Sequence, residues 1–146
     1  MNADGVVYID TSALAKWYLN EEGSDTFSAY IQTLDSAIIS TLTRTEIRSL
    51  LARRRRMGDL DVGLEPVLYA AFQDDISSGH LQLYTVANER FDEAANLLAL
   101  YPEQPLRTLD ALHLAVAKHY GIGAIATADT VMANAAAAMG FAVRTF

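Results

Sequence analysis

Four carboxylates stand where short apolar segments end or helices begin: Asp10, Glu46, Asp110 and Asp129. Two carboxylates about 4 Å apart repel by roughly 4 kcal/mol at an effective dielectric of about 20. A cluster of four would therefore be strained or partly protonated unless it bound a cation. Oxygen ligands of this kind select Mg²⁺ or Mn²⁺. Such ions activate water and neutralise the charge that develops in phosphodiester hydrolysis, so the acids, if gathered together, could perform that reaction.

Each acid also has an explanation that involves no ligand. Asp10 and Asp129 can cap the helices that follow them. Asp110 falls in the first turn of a predicted helix, where the helix dipole favours an anion. Glu46 forms a candidate capping box with Thr43, in the pattern Thr-x-x-Glu. Each explanation suffices for its own acid. Together, however, they require four capping acids to meet at one edge of a sheet by chance.

The elements that must position these acids alternate between strands and helices. Apolar runs rich in β-branched residues predict strands at 5–9, 37–40, 81–84, 122–126 and 141–144. Helical spacing predicts helices at 13–19, around 27–34, and at 43–57, 60–79, 89–100 and 130–139, and one more that begins at 109 and ends before Gly121. Strands joined by helices pair in parallel through right-handed crossovers. We therefore expect an α/β fold, a three-layer α/β/α sandwich around a mostly parallel sheet of about five strands.

Three local details of these helices are also predicted. Thr11 and Ser12 can cap the first helix, and Thr108 is the predicted N-cap of the helix that carries Asp110. Leu109 begins the apolar stripe of that helix, together with Leu112 and Val116. His113 is interpreted as a satisfied structural histidine, and His80 and His119 are assigned no role.

The acids should meet at one edge of the sheet. Asp10 closes the first strand, Glu46 follows the second and Asp129 follows the fourth. Asp110 opens a helix that returns to the opposite edge, so its N-terminus also lies at the carboxyl edge. Open α/β sheets bind ligands beyond the carboxyl ends of their strands. The sequence therefore predicts one acidic mouth.

Composition places these elements in one domain spanning residues 1–146. The chain has 146 residues and 51% hydrophobic content, enough to bury a core without cross-links. The absence of cysteine excludes disulfides, thiolate zinc sites and a cysteine nucleophile, and it fits a reducing compartment. The apolar run at 6–9 is too short for a signal peptide or a membrane span. We expect a cytoplasmic protein that does not enter a membrane.

The charge distribution is uneven. A formal net charge of −7 argues against a protein that coats nucleic acid through bulk electrostatics. Six of the eleven basic residues nevertheless lie between 44 and 56. Arg54 and Arg55 are candidate RNA contacts in this cluster. The alternative, which stays open, is a solvated helix end whose arginines pair with Asp59 and Asp61.

Four segments resemble the motifs of a known family. They are residues 8–14 (YIDTSAL), the helix with Thr43-x-x-Glu46, residues 109–115 (LDALHLA) and residues 126–132 (ATADTVM). In this order they resemble the motifs of PIN-domain ribonucleases, most closely the VapC-type toxins of bacterial toxin–antitoxin pairs. The third and fourth segments together are the most specific part of the resemblance.

The resemblance implies a metal-dependent endoribonuclease that binds one or two Mg²⁺ or Mn²⁺ ions. The implied metal ligands are Asp10, Glu46, Asp110 and Asp129, and the implied supporting hydroxyls are Thr11, Ser12 and Thr127. It also implies an RNA substrate, a homodimer, and an antitoxin whose C-terminal segment lies across the acidic mouth. Trp17, Tyr18 and Leu19 could provide apolar docking surface for that partner, or could pack within the first helix.

Two other classes of α/β protein do not fit these residues. A haloacid dehalogenase-like phosphotransferase needs a second acid two positions after the first, where this chain has Ser12. A receiver domain needs an acceptor acid at the third strand, and residues 81–87 contain none. The remaining alternative is a non-catalytic PIN-like module that binds RNA or a partner.

Overall fold

The computed structural model describes residues 5–146, so residues 1–4 of the predicted domain lie outside the described range. Within that range, one sheet of five parallel strands has the order β3-β2-β1-β4-β5. The strands are β1 (Val6–Ile9), β2 (Ser36–Ser40), β3 (Gln82–Tyr84), β4 (Ala124–Thr127) and β5 (Ala142–Thr145).

Helices connect these strands. They are α1 (Thr11–Tyr18), α2 (Ser24–Ile31), α3 (Thr41–Arg56), α4 (Leu64–Ser77), α5 (Glu89–Leu100), α6 (Thr108–His119) and α7 (Thr130–Ala138). The α5 helix has the predicted bounds, and β3 lies at an edge of the sheet. Along the described chain, no helix is both long and apolar enough to cross a membrane.

Successive side chains of each strand enter different cores. Tyr8, Ile38 and Ile125 join a cluster with the buried residues of α5, α6 and α7. Val7 and Ile39 join a second cluster with buried residues of α1 to α4. This division follows from the two-residue period of a strand, because neighbouring side chains point to opposite faces of the sheet. The predicted three-layer α/β/α architecture is confirmed.

The strand order reverses direction at β1. This strand pairs with β2 on one side, with Tyr8 opposite Ile38, and with β4 on the other, with Ile9 opposite Ala126. The chain fills one side of the sheet through β3 before it returns to the other side. A reversal of this kind opens a crevice at the carboxyl ends of the strands. Asp10 lies there, and its backbone N–H donates to Ala126 O at 3.0 Å.

Several predicted helix starts were wrong by one to four residues, and the largest error is that of α4, which begins at Leu64 and not at residue 60. The α3 helix begins at Thr41 because Ser40 ends β2 and acts as the N-cap. The Thr43 hydroxyl accepts from the Ser40 backbone N–H at 3.3 Å, so the predicted box between Thr43 and Glu46 does not form. Glu46 consequently lies in the second turn, and its carboxylate is available for other contacts.

The caps of two further helices are corrected in the same way. Asp10, and not Thr11 or Ser12, caps α1, and its side chain accepts from the Ala13 backbone N–H. Arg107, and not Thr108, is the N-cap residue of α6. In both cases the extended backbone ends before the residue that side-chain preference indicates, because the strand or loop before the helix fixes where extension ends.

Candidate active site

A cavity of about 450 Å³ opens at the carboxyl edge of the sheet. All four predicted acids line it: Asp10, Glu46, Asp110 and Asp129. Leu109 lines it as well and is 43% exposed, so this residue does not belong to the buried stripe of α6 that the sequence pattern predicted. The topology of the sheet therefore brings together residues that are far apart in the chain.

Asp10 is buried and held by three donors. Thr127 Oγ1 donates to Oδ2 at 2.6 Å, while Ser12 Oγ and the Ala13 backbone N–H donate to Oδ1 at 2.7 and 3.0 Å. Burial raises the pKa of Asp10 above its usual value, and the hydrogen bonds oppose this shift. The side chain thus carries a desolvation cost that a nearby cation would relieve.

The predicted supporting hydroxyls divide between two acids. Ser12 and Thr127 bind Asp10, and each also accepts from the backbone that follows β4. Ala128 N donates to Ser12 Oγ at 2.9 Å, and Asp129 N donates to Thr127 Oγ1 at 3.0 Å. These bonds fix the end of β4 against the start of α1. Thr11, in contrast, binds Glu46.

Glu46 is tied to α1 and α6. Its Oε1 atom accepts from Thr11 Oγ1 at 2.8 Å and makes a short contact with His113 Nε2. The other ring nitrogen of His113, Nδ1, lies 2.5 Å from the Tyr8 hydroxyl, which is also 3.0 Å from Ser40 Oγ. His113 is 2% exposed, and both of its ring nitrogens have partners, as predicted for a satisfied histidine. Its contact with Glu46 was not foreseen.

Asp110 and Asp129 face each other across Arg107. Asp129 caps α7 through Oδ1, which accepts from Val131 N at 2.8 Å. Arg107 Nη2 lies 3.7 Å from Asp129 Oδ2, and Arg107 Nε lies 3.8 Å from Asp110 Oδ2. Burial raises the pKa of Asp110 and the charge of Asp129 raises it further, while Arg107 opposes the shift. Arg107 was not identified from the sequence, although its position three residues before Asp110 was a usable signal.

The donor chemistry of the cavity suits a hard divalent ion. Four carboxylates with oxygen donors only are the ligand type that Mg²⁺ and Mn²⁺ prefer. Across residues 5–146, however, no three Asp, Glu or His side chains are positioned to hold one ion together. Asp10 faces its hydroxyl donors, and Arg107 approaches both Asp110 and Asp129. Metal binding therefore requires some of these carboxylates to move closer together within the cavity.

The arginines of α3 point in different directions. Arg54 Nη2 lies 2.7 Å from Glu21 Oε2, and Arg55 pairs with Glu65. Their acidic partners are thus not Asp59 and Asp61, the residues that sequence proximity suggested. Arg53 instead lines the acidic cavity. It follows Glu46 by seven residues, which places both on one helix face, and this spacing could have identified it.

The proposed docking residues of α1 lie away from the acids. The Tyr18 hydroxyl donates to Asp75 Oδ2 at 2.6 Å and its ring packs edge-on against Phe72. Trp17 lines a second cavity with Ser36 and Gln82, the first residues of β2 and β3. That cavity lies at the amino edge of the sheet, so Trp17 is not beside the acidic mouth.

The parallel sheet and the acids at its switch point define the class of this protein. Residues 7–138 match the PIN domain family model, and the chain belongs to this family, as its motifs predicted. It is 34% identical over 139 residues to Ribonuclease VapC46 of Mycobacterium tuberculosis, covering 94% of this chain and 95% of that relative.

Solved structures agree with this fold. The crystal structure of Mycobacterium tuberculosis VapC20, a Sarcin-Ricin loop cleaving toxin, matches with a TM-score of 0.72 and 22% identity, over 92% of this chain and 95% of that chain. The structure of VapBC2 from Rickettsia felis, bound to a DNA fragment from their promoter, matches with a TM-score of 0.68 and 8% identity, over 97% and 98% of the two chains.

Proposed function

We propose that this chain is a divalent-metal-dependent endoribonuclease and the toxin of a type II toxin–antitoxin pair. The observation that carries the proposal is the meeting of the four motif acids in one cavity at the switch point of a PIN fold. The similarity to Ribonuclease VapC46 supports the same activity. The chain acts as a single domain in the cytoplasm, and its substrate is RNA.

Each acid has a role in this proposal. Asp10, Glu46, Asp110 and Asp129 hold Mg²⁺ or Mn²⁺, while Thr11, Ser12 and Thr127 orient the carboxylates through the hydrogen bonds described above. When bound, the ion supplies a Lewis acid that activates water and neutralises charge on the phosphate oxygens. In the reaction, the oxygen of water bonds to phosphorus and the bond from phosphorus to one ribose oxygen breaks. The water loses one proton, and the leaving ribose oxygen gains one to become a hydroxyl.

Binding of the RNA needs cations beside these acids. Arg53 and Arg107 line the same cavity and provide them. Guanidinium groups bind phosphate through paired N–H donors, so these residues can orient the backbone on either side of the cleaved bond. Arg54 and Arg55 stay candidate contacts, although their guanidinium groups already pair with Glu21 and Glu65.

The proposed partners follow from the same family. A cognate antitoxin inhibits the chain by laying a C-terminal segment, with a basic side chain, across the acidic mouth. A basic side chain suits this cavity because four carboxylates line it. The toxin itself is a homodimer in this proposal.

Thermal unfolding with Mn²⁺ tests the metal site. At a concentration about 100 times its dissociation constant, Mn²⁺ should stabilise the wild type by about 2.7 kcal/mol. Asp110→Asn should gain much less, and Asp59→Asn, which changes an exposed acid outside the cavity, should gain as much as the wild type. Equal responses of all three proteins, or no response in any, would contradict the proposal.

A non-catalytic binding module is the second candidate. It is favoured by one observation, the absence among the described residues of three acids positioned around a single ion. The endoribonuclease cleaves the RNA that it binds, whereas the binding module does not. Asp10→Asn should abolish cleavage of a cellular RNA pool while RNA binding persists; if wild type and variant both bind RNA and neither cleaves it, the binding module is correct.

A further inference from the structure

The two oxygens of the Glu46 carboxylate differ in their surroundings. Oε1 has two partners, Thr11 Oγ1 and His113 Nε2. Oε2 has no hydrogen-bond or ion-pair partner among the residues that the structure describes, although Glu46 lines the acidic cavity. One oxygen is therefore held by the protein, and the other is available to whatever enters the cavity.

His113 is held at both ends of its ring. An ionised carboxylate can only accept, so Nε2 must carry the hydrogen that it shares with Glu46 Oε1. Nδ1 lies beside the hydroxyl of Tyr8, which is 0% exposed. Burial raises the pKa of Tyr8, so this hydroxyl keeps its proton. Both ring nitrogens thus lie within hydrogen-bond distance of protein side chains, which hold the ring in place.

We propose that His113 is a positioning residue for Glu46. It fixes Oε1 from the buried side, which aims Oε2 into the cavity, and its own orientation is fixed by Tyr8. Partners behind a metal ligand commonly act in this way, by orienting the ligand and tuning its basicity. The inference rests on the proposed function, because Oε2 serves as a ligand only if the cavity binds a metal.

Two amide substitutions separate the two ends of the ring. In His113→Gln the side-chain NH₂ can take the place of Nε2 and donate to Glu46, while the contact with Tyr8 is lost. In His113→Asn the amide oxygen can take the place of Nδ1 and accept from Tyr8, while the donor to Glu46 is lost. Both variants remove the buried imidazole, so each is the other's control for a merely structural effect.

Calorimetric titration with Mn²⁺ gives the first readout. We expect His113→Asn to lower Mn²⁺ affinity by about 10- to 100-fold, the range typical of lost partners behind a ligand, and His113→Gln to lower it by less than about threefold. The melting temperatures without metal should fall by similar amounts in both. Equal loss of affinity in the two variants, or unchanged affinity in both, would overturn the proposal.

A second readout does not depend on metal. The ¹³C signal of the Glu46 carboxyl carbon, assigned by its disappearance in Glu46→Gln, should move or broaden in His113→Asn and stay near its wild-type position in His113→Gln. If the wild type fails to bind Mn²⁺, the proposed metal site is wrong, and this signal still decides the role of His113. A signal that responds equally in both variants would overturn that role.

Discussion

Asp10 and Asp110 carry an unfavourable charge in the absence of a ligand. Burial raises the pKa of both carboxyl groups, in spite of three hydrogen bonds to Asp10 and the nearby guanidinium of Arg107 at Asp110. Asp10 and Asp129 also cap helices, so capping and site formation are not exclusive explanations. A residue can stabilise a helix end with one oxygen and serve a cavity with the other.

The raised pKa of Asp110 predicts a pH-dependent effect of Asp110→Asn. The folded state holds this proton more tightly than the unfolded state, so the wild type gains stability as pH falls toward the usual Asp pKa of about 4. Without metal, the variant should match or exceed the wild type at pH 7, by up to about 1 kcal/mol. This advantage should shrink toward pH 4.

Urea unfolding with a chelator between pH 4 and pH 7 measures that difference. Asp59→Asn is the matched control, because Asp59 is exposed and outside the cavity. A variant Asp110→Asn that is less stable than the wild type by the same amount at every pH would show that the carboxylate acts only at the start of α6.

The α3 helix decides which arginines reach the site. Because it begins directly after Ser40, Glu46 and Arg53 face the cavity, while Arg54 turns toward Glu21 and Arg55 toward Glu65. Arg48 stacks over the Tyr69 ring at 4.7 Å and so faces α4. A run of arginines that reads as one patch in the sequence is therefore distributed around the helix, because successive residues differ by about 100°.

Arg53→Ala and Arg54→Ala should affect RNA binding differently. Loss of Arg53 should weaken binding of single-stranded RNA and reduce the slope of log affinity against log salt by about 0.7 for each lost phosphate contact. Loss of Arg54 should reduce that slope by less, because its guanidinium group already pairs with Glu21. It should also cost up to about 1 kcal/mol of stability, because it breaks a partly exposed pair. Fluorescence anisotropy in chelator, which prevents cleavage, measures the slope; the reverse ranking would assign RNA contact to Arg54.

At the scale of the whole molecule, one sheet connects two cores. The cluster with α5 to α7 and the cluster with α1 to α4 share every central strand, because each strand sends alternate residues to each face. Residues on the two faces should consequently lose their structure together. The site lies at the edge of this sheet, between the two layers, so its geometry depends on both.

Leu114→Ala tests this coupling. Leu114 is 0% exposed in the cluster of α5 to α7, so its truncation should cost about 2–5 kcal/mol. Leu109→Ala, at a 43% exposed position of the same helix, should cost about 0.5 kcal/mol or less. Trp17 lies near the other cluster, and its fluorescence should report the same lowered midpoint as far-UV circular dichroism. Separate midpoints would contradict a single cooperative domain.

Local sequence patterns were sufficient to predict the strands of the sheet and the acids of the site. The apolar runs predicted all five strands of the described sheet to within two residues of their ends, and the strand–helix alternation predicted parallel pairing. With that topology, the positions of Asp10, Glu46, Asp110 and Asp129 predicted a common cavity, because the carboxyl ends of parallel strands meet at one edge. These inferences succeed because the periodicity of an element depends on residues that are close in sequence, and the direction of a crossover depends on the chirality of the chain.

Only the tertiary structure decided which side chains meet. His113 contacts Glu46 across 67 residues of sequence and Tyr8 across 105, and no local pattern relates these positions. The same holds for Arg54, whose partner Glu21 lies 33 residues away. Asp59 and Asp61 are closer in sequence, but the guanidinium group of Arg54 does not pair with them. Periodicity fixes the face on which a side chain lies, but the packing of α1, α3 and α6 around the strand ends fixes which residues it contacts.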